Sequence, residues 1–149
     1  MADDRLQPLT TLKALQQLRL ARERTELGGS VARTAQAEAH LRAEDALLED
    51  DEARQMGLLA ADHFDPGELR LAGLVLEQQQ QAALLARGTV DAREREEQEA
   101  RQLVAICEAQ TDNVEEAFRK ARRKSAEKAD SLIAVEFAAP GARQNGRKA

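Results

Sequence analysis

The chain has 149 residues, and about three-fifths of it is five residue types: 29 Ala, 20 Leu, 17 Glu, 17 Arg and 5 Lys. That composition belongs to long helices and coiled coils. With three Phe, no Trp and no Tyr, the side chains that fill a wide globular core are missing, which argues against a sheet protein and against a compact enzyme with a deep pocket. The net charge of -5 hides a split, because residues 1–118 carry -11 and residues 119–149 carry +6. Such asymmetry points to a local contact surface at one end rather than to general binding of a polyanion.

The first residues, Met1-Ala2-Asp3-Asp4-Arg5, are acidic with no apolar segment behind them, so no secretory signal is expected. The longest uncharged apolar run lies near Leu71–Leu76, far short of the ~20 residues a membrane helix needs. No membrane insertion is expected. A single cysteine, Cys107, excludes an internal disulfide and fits a reducing compartment. The expected location is cytoplasmic.

Prolines punctuate the chain. Pro8 stands where a first helix is expected to start, since proline is tolerated in the first turn. The cluster Asp62-His63-Phe64-Asp65-Pro66-Gly67 is the strong turn signal of the middle. Pro140-Gly141 is expected to end the helical pattern. These signals predict one domain over 1–139: a helix over about 9–61, a turn at about 62–66 and a helix over about 67–138, followed by a flexible basic tail at 140–149. At 1.5 Å per residue the helices would be roughly 80 Å and 110 Å long. A short turn folds them back on one another, so the predicted fold is all-α, a long two-helix antiparallel coiled-coil hairpin.

The second helix carries the clearer heptad. One seven-residue series runs Leu69, Leu76, Ala83, Val90, Glu97, Val104, Thr111, Phe118, Ser125 and Leu132. The other runs Ala72, Gln79, Ala86, Arg93, Ala100, Cys107, Val114, Ala121, Lys128 and Val135, and seven of ten residues in each are apolar, enough to define a seam. The first helix repeats more weakly through Leu20, Leu27, Thr34, Leu41 and Leu48. Many seam residues are alanine, which allows close approach of two backbones. The polar stretch Arg93–Glu99 is expected to be the loosest part of the second helix.

Gly28-Gly29-Ser30 lies inside the first helix, where each glycine costs about 1 kcal/mol relative to alanine. It reads as a weak spot or a close-packing point, with a functional bend as the alternative. The acid cluster Glu44, Asp45, Glu49, Asp50, Asp51 and Glu52 reads as a solvated face, since it lacks the spaced Asp/Gly loop of calcium sites. Folding about the turn sets residue 9 opposite residue 119. The second helix is then expected to overhang its partner by about 19 residues, roughly 28 Å. The overhang would begin with the basic run Arg119, Lys120, Arg122, Arg123 and Lys124, and would carry Leu132, Ile133, Val135 and Phe137 without an internal partner. Uncovered apolar positions suggest a binding surface or self-association.

A search for chemistry finds little. There is no phosphate-binding glycine loop and no nucleophile elbow. His40, His63 and Cys107 are not at metal-ligand spacing. His63 reads as a polar turn residue and Cys107 as a small core residue. Carboxylates are plentiful, but two long helices enclose no site that would shift their pKa values. No enzymatic activity, cofactor or metal is expected. A basic helix joined to a coiled coil is the plan of zipper-type DNA binders, but there the basic part precedes a parallel zipper. Here it follows an antiparallel hairpin, the remainder is acidic and aromatics for base stacking are lacking. No nucleic-acid binding is expected.

The layout resembles that of one known family. An acidic start leads through Leu9-Thr10-Thr11-Leu12-Lys13-Ala14-Leu15 into a charged, Ala-rich helix. A turn near residue 65, a longer helix opening with Leu74-Val75-Leu76-Glu77 and a basic tail follow. In length and plan this resembles the FliJ/YscO (SctO) family, the stalk proteins of type III secretion and flagellar export. The resemblance implies a non-enzymatic central stalk, similar to the shaft of rotary ATPases, that links the hexameric secretion ATPase to the cytoplasmic domain of the export gate. It implies a peripheral cytoplasmic position at the base of the secretion apparatus, and contact with some chaperones of secreted cargo, a role to which no residue here is matched. The terminal end, with Lys13, Arg19, Arg22, Arg119, Arg122, Arg123 and Lys124, would then enter the ATPase, where a basic end suits an acidic lumen. The gate contact would fall on Leu71, Leu74, Leu76 and Glu77. The alternative is a structural coiled-coil adaptor or scaffold that self-associates, or binds a partner helix, through its C-terminal overhang.

Overall fold

A computed structural model describes residues 3–145, and their side chains from Leu6 to Ala138. It consists of two helices, α1 (Asp3–Ala60, 58 residues) and α2 (Pro66–Asn145, 80 residues). No strand occurs among the described residues. The two helices pack against each other as an all-α hairpin, which follows from a chain rich in strong helix formers and carrying one apolar stripe per helix.

The inner helix ends, at Ala60 and Pro66, lie within one residue of expectation, and the reason for the second is local. Asp65 caps α2: its Oδ1 accepts the Gly67 N–H at 2.8 Å, and its carbonyl accepts the Leu69 N–H at 3.2 Å. Pro66 occupies the first helical position, where its missing N–H costs nothing. Glycine at 67 leaves room for the cap, since a β-carbon there would stand 3.2 Å from Asp65 Oδ1.

The outer ends differ from expectation. α1 begins at Asp3, so Pro8 lies inside it, and α2 continues through Pro140 and Gly141 to Asn145. An interior proline removes one backbone hydrogen bond and kinks a helix, but does not oblige it to stop. Of the tail expected at 140–149, residues 140–145 are therefore helical, and 146–149 lie outside the described residues.

The chain divides into two compact units, Met1–Glu23 with Val104–Ala149, and Arg24–Leu103. In the second unit, Thr34 meets Arg93, Glu44 meets Gln79 and Gly73 lies beside Gln55. In the first, Lys13 meets Phe118 and Arg19 meets Gln110. Each is an antiparallel pairing in the register expected from folding about the turn.

Burial follows the predicted heptads. Ala83, Ala86, Val90, Val104, Cys107 and Thr111 are buried, and their heptad neighbours from Leu69 to Ser125 are buried or half-buried. On α1 the series through Leu20, Leu27, Thr34, Leu41 and Leu48 is covered. A companion series at 9, 16, 23, 30, 37, 44, 51 and 58 completes the stripe. Ala83 and Ala86 are only 3% exposed, so small residues bring the two backbones together in the Arg24–Leu103 unit.

The polar stretch of the α2 seam is tied rather than merely tolerated. The Thr34 hydroxyl lies 3.1 Å from the Ser30 carbonyl and 3.3 Å from the Arg93 carbonyl, within reach of acceptors on both helices. Arg101 holds the Glu97 carboxylate at 2.6 Å. That hydrogen bond, with a further one from Thr34, lowers the Glu97 pKa from its ordinary value. Glycines 28 and 29 are helical with no positive φ. A β-carbon at Gly28 would meet nothing within 4 Å, and one at Gly29 only the flexible end of Arg33 at 3.4 Å. Close packing therefore does not explain these glycines.

Candidate functional site

Three surfaces stand out, and the first is the basic end. All seven basic residues singled out from the sequence, Lys13, Arg19, Arg22, Arg119, Arg122, Arg123 and Lys124, fall in the unit formed by Met1–Glu23 and Val104–Ala149. Two of them have partners in the hairpin. The Lys13 ammonium sits 5.0 Å from the centroid of the Phe118 ring, a cation–π contact that covers the last aromatic of the seam. Arg19 Nη1 donates to Gln110 Oε1 at 3.5 Å.

The four cations on α2 are exposed. Arg119, Arg122 and Arg123 line a shallow hollow with Ala126. Lys120, their neighbour, pairs with Glu116 at 3.0 Å, an exposed pair that contributes little. Among the described residues no carboxylate lies within 4 Å of Arg119, Arg122, Arg123 or Lys124. Asp112, Glu115 and Glu116 nevertheless line one hollow with Arg119, Lys120 and Arg123, so the charge of Arg119 and Arg123 is partly offset nearby, while Arg122 and Lys124 do not border that hollow.

The expected start of the overhang moves. Because α1 begins at Asp3 rather than near residue 9, it covers α2 as far as Ser125, which is half-buried, and residues 126–138 are exposed throughout. The basic run Arg119–Lys124 thus lies on the paired part of α2. The overhang proper keeps the apolar group, with Leu132 65%, Ile133 52%, Val135 64% and Phe137 82% exposed.

The third surface lies near the turn. Leu71 and Leu74 are exposed, as is Glu77, whereas Leu76 is half-buried on the seam. The four residues therefore do not form one outward face: Leu76 packs on the seam, while Leu71, Leu74 and Glu77 are exposed. Leu71 instead joins Ala72 and Val75 of α2, with Leu58, Asp51 and Arg54 of α1 and Glu68, around an apolar groove. Sequence reading missed Leu58 and Val75 as companions of Leu71. The signal was present in the antiparallel register, which brings residue 58 beside the opening turns of α2.

Reactive groups are sparse. Cys107 is 1% exposed and free, in keeping with a packing role. His63 is exposed, and His40 Nε2 lies 3.8 Å from Glu44. The acid cluster is partly engaged: Gln79 donates to the Glu44 carboxylate, and Arg87 lies 3.5 Å from Asp45. No group of three or more potential metal ligands occurs among the described residues, and no described helix is long and apolar enough to cross a membrane. The features on the helical hairpin are thus a run of exposed cations, an exposed apolar overhang and a groove near the turn. Comparison with protein-family models, with characterised proteins and with solved structures finds no match to this chain.

Proposed function

We propose that the protein is a non-enzymatic stalk of a type III secretion system, linking the hexameric secretion ATPase to the cytoplasmic domain of the export gate. It would work in the cytoplasm at the base of the apparatus. One observation carries the reading: an otherwise acidic helical hairpin gathers exposed cations without direct ion pairs at Arg119, Arg122, Arg123 and Lys124 in the same unit as Arg22, Lys13 and Arg19. Concentrated charge of one sign steers an end toward a surface of the other sign and sets its orientation. An acidic ring lumen is such a surface. The exposed Leu71, Leu74 and Glu77 would serve the gate.

Charge reversal at Arg122, Arg123 and Lys124 tests the assignment. The expected outcome is loss of ATPase stimulation with helicity unchanged, because all three side chains are exposed. Stimulation equal to that of the unmodified chain would remove the basic end from the role.

A second reading has its own support. The uncovered Leu132, Ile133, Val135 and Phe137 suit a structural coiled-coil adaptor that binds a partner helix or another copy. A stable dimer or tetramer that leaves a secretion ATPase unaffected would favour it.

A further inference from the structure

The seam of α2 does not stop where α1 does. Ala121 and Ser125 are half-buried against α1, while the next positions of the same heptad series, Lys128, Leu132 and Val135, are exposed. Ile133 and Phe137 lie about 100° and about 140° around the helix from Leu132, off that face. Lys128 lies one helical turn before Leu132 and Glu136 one turn after it, so all three share a face. Neither Lys128 nor Glu136 has an oppositely charged group within 4 Å among the described residues.

We infer that the overhang pairs antiparallel with the overhang of a second copy, about a twofold axis at Leu132. Leu132 then meets the partner's Leu132, and Val135 meets the partner's Ala129. Lys128 meets the partner's Glu136, and symmetry forms the reverse ion pair. A parallel pairing would set lysine on lysine and glutamate on glutamate, so the charge pattern is self-complementary in the antiparallel orientation alone. The occupant is a second copy for two reasons. The paired surface continues the seam that α1 covers up to Ser125, and Lys128 and Glu136, one turn to either side of Leu132, meet each other only across the twofold axis. With Leu132 and Val135 as its apolar centre the interface is small, and the pair forms reversibly with a Kd on the order of 100 μM. In a stalk, the pairing segment adjoins the basic run, so entry of that end into a ring separates the pair. That consequence rests on the proposed stalk role, and the pairing itself does not.

Sedimentation velocity of the full chain, without any ATPase, tests the pairing across concentrations from about tenfold below to about tenfold above that Kd. The expected result is a shift from monomer to dimer. Leu132→Asp should remain monomeric throughout with an unchanged circular dichroism spectrum, since α1 does not cover that position. Lys128→Glu and Glu136→Lys should each weaken the dimer by roughly tenfold, and the double variant should recover to within about twofold of the unmodified chain. A chain that stays monomeric, a dimer that survives Leu132→Asp, or a double variant no tighter than either single one would overturn the inference.

Discussion

Gly28 occupies a helical position with open space where a β-carbon would go. Glycine there adds unfolded-state entropy and gains no packing, so Gly28→Ala should stabilise the chain by about 1 kcal/mol, read as a raised urea midpoint with an unchanged slope. A lowered midpoint would show that the helix needs a bend at this point. Glu97 is the other residue with a distinct energetic signature. Its pKa is lowered in the folded chain, first by its hydrogen bond with Arg101 and then by that with Thr34. A carboxyl with a depressed folded pKa contributes stability above its unfolded pKa and loses it as pH falls through the folded one. The urea midpoint of the unmodified chain should therefore exceed that of Glu97→Gln at neutral pH by a small, salt-screened margin, and the two should converge as pH falls below the ordinary carboxylate range. Parallel curves would mean that the ion pair is without thermodynamic effect.

At the scale of the elements, the cap and the seam make separable predictions. Asp65→Ala removes the acceptor for the Gly67 N–H and should cost about 1 kcal/mol, measured by thermal or urea unfolding. Ala86, 3% exposed, is a point of close helix approach, so Ala86→Leu should overpack the hairpin and cost about 1–3 kcal/mol. Its neighbour Leu85 is 75% exposed, and Leu85→Ala should change stability by less than about 0.5 kcal/mol. If the two substitutions had equal effects, the heptad register would be wrong by a position. The register itself was legible in the sequence, because spacing of seven on both helices and a single central turn leave one antiparallel alignment. The outer ends were not. Proline biases a boundary without fixing it, and Pro8 and Pro140 both turned out to lie inside helices.

For the whole molecule, the charge split visible in composition corresponds to a run of exposed cations on α2, and the heptads that outrun α1 correspond to uncovered apolar positions on the overhang. Both are legible in the sequence. What sequence could not supply was their boundary. Six further residues of α1 bring the basic run onto the paired hairpin and leave the apolar group alone on the overhang. The groove around Leu71 was illegible for a different reason, since it joins side chains from both helices and each looks unremarkable on its own strand of sequence. The central claim is that the basic end couples this hairpin to a secretion ATPase. Its most direct test is to mix the purified chain with the hexameric type III ATPase of the same organism and follow ATP hydrolysis and co-elution together. Faster hydrolysis and a complex of one chain per ring are expected. With both proteins folded, unchanged hydrolysis and separate elution would contradict it.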